Sequence, residues 1–104
     1  MKDIPKRFKK FMKDFPSVAK GYDEMGRAVY KAGPLDKKTC ALIKLAVSTG
    51  SRQEGAVHSH TRKALEAGAT KKEIRHTVVL ALPTIGFPSM MAAMSWVDDI
   101  LDKK

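Results

Sequence analysis

Two Ser/Thr-x-x-Glu boxes, Ser51–Glu54 and Thr70–Glu73, each open a run of apolar residues recurring every three or four positions. In such a box the hydroxyl accepts the backbone N–H three residues on, and the glutamate accepts the N–H of the first residue, so each box predicts a helix start. Gly68 stands where the first of these helices must stop, because glycine adopts the left-handed backbone that ends helices. The punctuation predicts one helix over Ser51–Gly68 and another from Thr70 to near Pro83. No stretch alternates with the period of a strand. The chain is therefore expected to be all-α.

The remaining joints extend the pattern. Ile4, Phe8, Phe11 and Met12 share one face of a first segment, Ile4–Asp14, and Lys6, Arg7, Lys9, Lys10 and Lys13 cover the rest. Phe15-Pro16 resets the backbone, since proline is tolerated in a first helical turn. A second helix then runs to about Lys31 and stops at Gly33-Pro34. Asp36 is a natural N-cap for a third, Lys37–Thr49. Its Ala41, Leu42, Ile43, Leu45, Ala46 and Val47 leave almost no polar face, which predicts burial nearly all round. A final helix follows Phe87-Pro88, with Met91, Met94, Val97 and Leu101 on one stripe. The expectation is a compact bundle of about six helices in one domain, 1–104, whose residues 1–15 form a basic amphipathic helix.

Thr77–Val97 carries no formally charged residue and is about long enough to span a bilayer. Pro83, Gly86 and Pro88 interrupt it, so it reads as two buried half-segments and no membrane partner is expected. The joint between them, PTIGFP, is apolar where loops are normally polar, and something must cover it. The chain has 20 Lys+Arg against 11 Asp+Glu, a net +9. The lysines are spread over several segments without a nucleic-acid motif, so solvated helix faces account for them and nucleic acid is not the expected partner. One cysteine, Cys40, excludes an internal disulfide, a CxxC pair and a cysteine-based zinc site. With no signal peptide in view, a cytoplasmic location is expected.

The chemistry gathers on the helix after Ser51: Arg52, Glu54, His58 and His60. Glu54 and His58 are four apart and share a face, where a carboxylate beside an imidazole suits acid–base work. Competing for Glu54 is the capping box. His58 and His60 are two apart and point to roughly opposite sides, so they cannot chelate one metal together, and no metal is expected. His60 falls with Ala56, Val57 and Ala64 toward the buried side; His76 reads as structural or interfacial, and Cys40 as a small core residue.

LDKKTCALIKLAVSTGSRQEGAVHSHTRKALEAGATKKEIRHTVVLALPTIGFP resembles the carboxymuconolactone decarboxylase-like family, which also holds the alkylhydroperoxidase D type proteins. The resemblance implies a helical bundle with a central antiparallel helical hairpin, assembled as trimers or hexamers. The peroxidase type carries Cys-x-x-Cys four residues before a histidine. Laid over His60, those cysteines fall at Gln53 and Ala56, and the glutamate of the preceding helix falls at or near Ala41. A dithiol mechanism needs one thiol to attack and another to resolve, and Cys40 alone cannot do both. The decarboxylase type lacks the dithiol and keeps the histidine. It implies a cofactor-free lyase acting on a small carboxylated lactone, with His60 supplying a proton, His58 or Glu54 assisting, and Arg52 holding a substrate carboxylate. A peroxidase relative using Cys40, and a non-catalytic member that binds a small acid or simply assembles, are the alternatives.

Overall fold

A computed structural model describes residues 5–103, and every structural statement concerns these. The expected start of the first helix at Ile4, and Lys104 at the other end, lie outside them. The described chain is all-α, as expected. It has seven helical segments: α1 (Lys6–Asp14), α2 (Pro16–Lys31), α3 (Lys37–Gly50), α4 (Glu54–Glu66), α5 (Lys71–Val79), α6 (Leu82–Ile85) and α7 (Phe87–Leu101). Six are full helices. The seventh, α6, is a single turn wound from the apolar joint, with Pro83 in its first positions.

The chain divides after Pro34 into two compact units. The first is α1 packed on α2. Pro16 occupies the start of α2, as its fixed φ allows. The Phe11 and Phe15 rings meet with centroids 5.3 Å apart. Neither helix holds a fully buried residue.

The second unit is built on α3 and α4, which run antiparallel through a three-residue turn; α7 packs on α4 and α5, and α5 on α3. Leu45, Val57, Ala64, Ile74, Val78, Ala93 and Val97 are sealed from solvent at its centre. Burying a Leu, Ile or Val side chain contributes about 1.5–3 kcal/mol, so this cluster is the main source of cohesion. On α7 the buried stripe is Met90, Ala93, Val97 and Leu101. Met91, expected on that stripe, is exposed and Met94 only partly buried. Counting back from Val97 by seven residues, two helical turns, selects Met90, and Met91 lies one step round the helix.

Caps are partly as the sequence predicts. Asp36 accepts the Thr39 N–H at 2.8 Å. Thr70 and Glu73 form a complete capping box. After α4, Gly68 sits at φ 94°, its N–H reaches the Leu65 carbonyl, and the Ala69 N–H reaches the Ala64 carbonyl at 3.0 Å. Those paired bonds make a Schellman stop, and the positive φ is why glycine stands there. The Ser51–Glu54 box, however, does not form. Ser51 caps the end of α3, and its hydroxyl donates to the Ser48 carbonyl at 3.1 Å. Arg52 reverses the chain at φ 58°, and α4 begins at Glu54 behind Gln53 with no side-chain cap. A non-glycine residue in left-handed backbone costs about 1–2 kcal/mol. Here the bonds from Arg52 N–H to the Thr49 carbonyl and from Gln53 N–H to the Ser48 carbonyl hold the turn.

The expectation that α3 is buried nearly all round also fails for the single chain. Ala41, Leu45, Ser48 and Thr49 face the core, whereas Ile43 and Val47 are exposed, Val47 to 66%. Among the described residues no helix is long and apolar enough to cross a membrane.

Candidate functional site

Because Ser51 belongs to α3, Glu54 is not committed to a cap. It stands in the first turn of α4, one turn below His58, and α7 packs alongside. There His58 Nε2 donates to Asp99 Oδ2 at 3.0 Å. Glu54, His58 and Asp99 each offer a ligand atom within 4.8 Å of the others. His58 is largely covered, its side chain 23% exposed, and Asp99 lies at the rim at 58%. The other acids at this end of α7 are engaged elsewhere. Arg75 of α5 donates through Nε to Asp98 at 3.0 Å and through a terminal nitrogen to Asp102 at 2.9 Å.

His60 lies on another side of α4. Two residues correspond to about 200° of helix rotation, so its ring points away from the His58 cluster. It is half-buried, and its Nδ1 is sealed from solvent without a hydrogen-bond partner. Burial, then the positive charges of Lys63 and Lys44, lower its pKa from 6.5 to about 4. The ring is therefore neutral at pH 7, with one N–H and one lone pair. Lys63 is itself pushed below the usual lysine value, first by burial and then by Lys44. Two lysines and an imidazole thus share a partly desolvated spot in the α3–α4 hairpin, an environment that favours an anion.

The structure therefore separates the expected set. Glu54 and His58 come together as predicted and are joined by Asp99. His60 stands apart with Lys44 and Lys63. Arg52 is exposed in the α3–α4 turn, before α4 begins and eight residues ahead of His60. His76 is exposed on α5. Cys40 is half-buried in the first turn of α3, where its thiol donates to the Leu35 carbonyl at 3.6 Å. An apolar groove of about 350 Å³ runs between α3 and the end of α5, lined by Leu42, Ile43, Ala46, Leu80 and Ala81 with Thr39 and Thr77. None of the expected catalytic side chains lines it.

Sequence reasoning missed Asp99, Lys44 and Lys63. Lys63 follows His60 by three positions, a same-face spacing that could have been noted. Lys44 is eight residues before Arg52 and His60 eight after it, so a hairpin turning at Arg52 brings them level. Nothing local pointed to Asp99.

Comparisons agree with this architecture. An uncharacterised protein of Haemophilus influenzae is 33% identical over 61 residues, covering 59% of this chain and 54% of its own length. The nitrosuccinic acid decarboxylase of Metarhizium robertsii is 33% identical over 79 residues, covering 72% of this chain and 55% of its own length. The chain thus spans about half the length of these two relatives. The crystal structure of a carboxymuconolactone decarboxylase family protein from Legionella pneumophila superposes with a TM-score of 0.83 at 31% identity, over 97% of this chain and 90% of that one. The sequence profile of the Carboxymuconolactone decarboxylase family matches residues 16–99, about four-fifths of the chain, and the chain belongs to that family.

Proposed function

We propose that the chain is a decarboxylase-type carbon–carbon lyase that acts without a cofactor on a small acid bearing more than one acidic or electron-withdrawing group. The observation that carries this is the half-buried His60 ring, with an unpartnered Nδ1, beside Lys44 and Lys63. When the bond to the departing carboxylate breaks, its electron pair passes into an adjoining carbonyl or nitro group. A proton must then reach carbon. The ring nitrogen that is not sealed can carry it, taking a proton from water or from the bound acid and giving it to carbon, which returns the imidazole to its neutral form. Lys44 and Lys63 hold a retained anionic group and stabilise the charge that develops. The similarity to a nitrosuccinic acid decarboxylase supports a small, multiply substituted acid as substrate. A lactone-type acid fits the same description. Glu54 and His58 are left out of the proton step because they face Asp99. Arg52 is a peripheral charge at the turn and secondary to the two lysines.

Recombinant protein incubated with carboxymuconolactone and with nitrosuccinate should release carbon dioxide, with the product read by NMR. His60→Ala should lower turnover by roughly 100-fold or more, the usual contribution of a positioned proton-transfer group. No carbon dioxide from either acid, together with unchanged carboxylate binding in His60→Ala, overturns the proposal.

The family resemblance and the exposed apolar side chains of α3 and α5 support self-association. Ile43, Val47 and Leu80 would be covered by further copies of the chain.

A further inference from the structure

We propose that Glu54, His58 and Asp99 form a binding site for a divalent transition-metal ion, distinct from His60, that clamps the start of α4 to the end of α7. The three side chains offer one imidazole nitrogen and two carboxylate oxygens. That donor set suits Zn²⁺ and its first-row neighbours, because imidazole is a poor ligand for Mg²⁺ or Ca²⁺ and thiolate is not required.

The spacing is close to what such an ion needs. With metal–ligand bonds of about 2.0–2.2 Å, tetrahedral ligand atoms stand roughly 3.4 Å apart. His58 Nε2 and Asp99 Oδ2 are already 3.0 Å apart. The whole set lies within 4.8 Å, so closure asks roughly 1–1.5 Å of the exposed Glu54 carboxylate, less than a rotamer change. On binding, the proton on Nε2 shifts to Nδ1 or is released, and that nitrogen's lone pair goes to the metal. Two carboxylates neutralise the ion's charge, and the exposed rim leaves room for water to complete its coordination.

Two further features single out these residues. The backbone of Arg52 and Gln53 ends α3 in a way that frees Glu54 from the cap its sequence context predicts. In addition, Arg75 takes Asp98 and Asp102, while Asp99, between them in sequence, turns to α4. In a chain of net charge +9, this is a local concentration of negative charge with no Lys or Arg ion-paired to any of its three members among the described residues.

The full-length, chelator-treated protein should be titrated with Zn²⁺ by calorimetry and with Co²⁺ by visible absorption. One ion per chain should bind saturably, and Zn²⁺ should raise the melting temperature by linkage. Asp99→Asn and Glu54→Gln, both exposed positions that leave the core untouched, should each weaken binding by about ten-fold or more. His58→Gln should do the same, and Asp102→Asn should leave it unchanged. Absence of saturable binding at millimolar metal overturns the proposal. So does binding that survives Asp99→Asn and Glu54→Gln, which would place the ion elsewhere.

Discussion

Lys38 on α3 donates to Glu73 on α5 at 3.0 Å, and the other oxygen of the same carboxylate accepts the Thr70 backbone N–H at 2.9 Å. Glu73 therefore closes the cap of its own helix and ties that helix to the start of the hairpin. Thr70 completes the box by accepting the Glu73 N–H at 3.0 Å. Loss of a Thr cap typically costs about 1 kcal/mol. Thr70→Ala should show that loss in chemical denaturation, with an unchanged slope. Glu73→Gln keeps an acceptor for the Thr70 N–H and should cost less than Glu73→Ala; equal losses would mean the ion pair, not the cap, carries the effect.

The same contacts predict acid sensitivity. Hydrogen bonds from Thr70 and then Lys38 hold the Glu73 pKa below its ordinary 4.5. Hydrogen bonds from Thr39 hold Asp36 below 3.8. For both, the folded pKa lies under the unfolded one. Their stabilisation is complete above the unfolded values and is lost as pH falls through the folded ones, because the unfolded chain then binds more protons. Melting temperature should fall below about pH 4.5. The decline should be shallower in the Asp36→Asn, Glu73→Gln double variant; an identical decline refutes the assignment.

Ser51 provides a contrast with Thr70. Its sequence box is as good, but its hydroxyl donates backward to Ser48. Ser51→Ala should therefore change stability by about 0.5 kcal/mol or less, the level of an ordinary surface substitution. A loss of the size expected for Thr70→Ala would reinstate Ser51 as the cap of α4.

Leu80, which lines the groove between α3 and α5, is 65% exposed, and Val47, one turn beyond the groove residue Ile43 on α3, is 66% exposed, on a unit whose core is otherwise closed. If copies of the chain cover this face, wild-type protein should sediment or scatter as a multimer. Val47→Asp and Leu80→Lys should shift the mass toward monomer, since a buried unpaired charge is strongly unfavourable. A monomeric wild type removes the basis for self-association through this face.

Much of the fold was legible because it is written in local rules. The Gly68 stop, the Thr70–Glu73 box and the Asp36 cap depend on residues within a few positions of one another. The helical period of the apolar residues reports burial without knowing the partner. Where local rules competed, the sequence could not choose. Ser51 satisfies the criteria for starting α4 and for ending α3, and the chain uses it for the second. Met90 and Met91 are one step apart on α7, and only the position of α4 and α5 selects Met90.

The candidate sites divide in the same way. The sequence by itself determined an all-α chain, the helix bearing Glu54, His58 and His60, and the opposed directions of its two histidines, because a helix fixes the angle between its own side chains. Tertiary structure alone decided what each one meets. Asp99 reaches His58 across 41 positions of chain because α7 lies along α4. Lys44 comes level with His60 because the hairpin turns at Arg52. Such pairings depend on how helices dock, and docking is set by the fit of whole apolar faces, which no short run of sequence specifies.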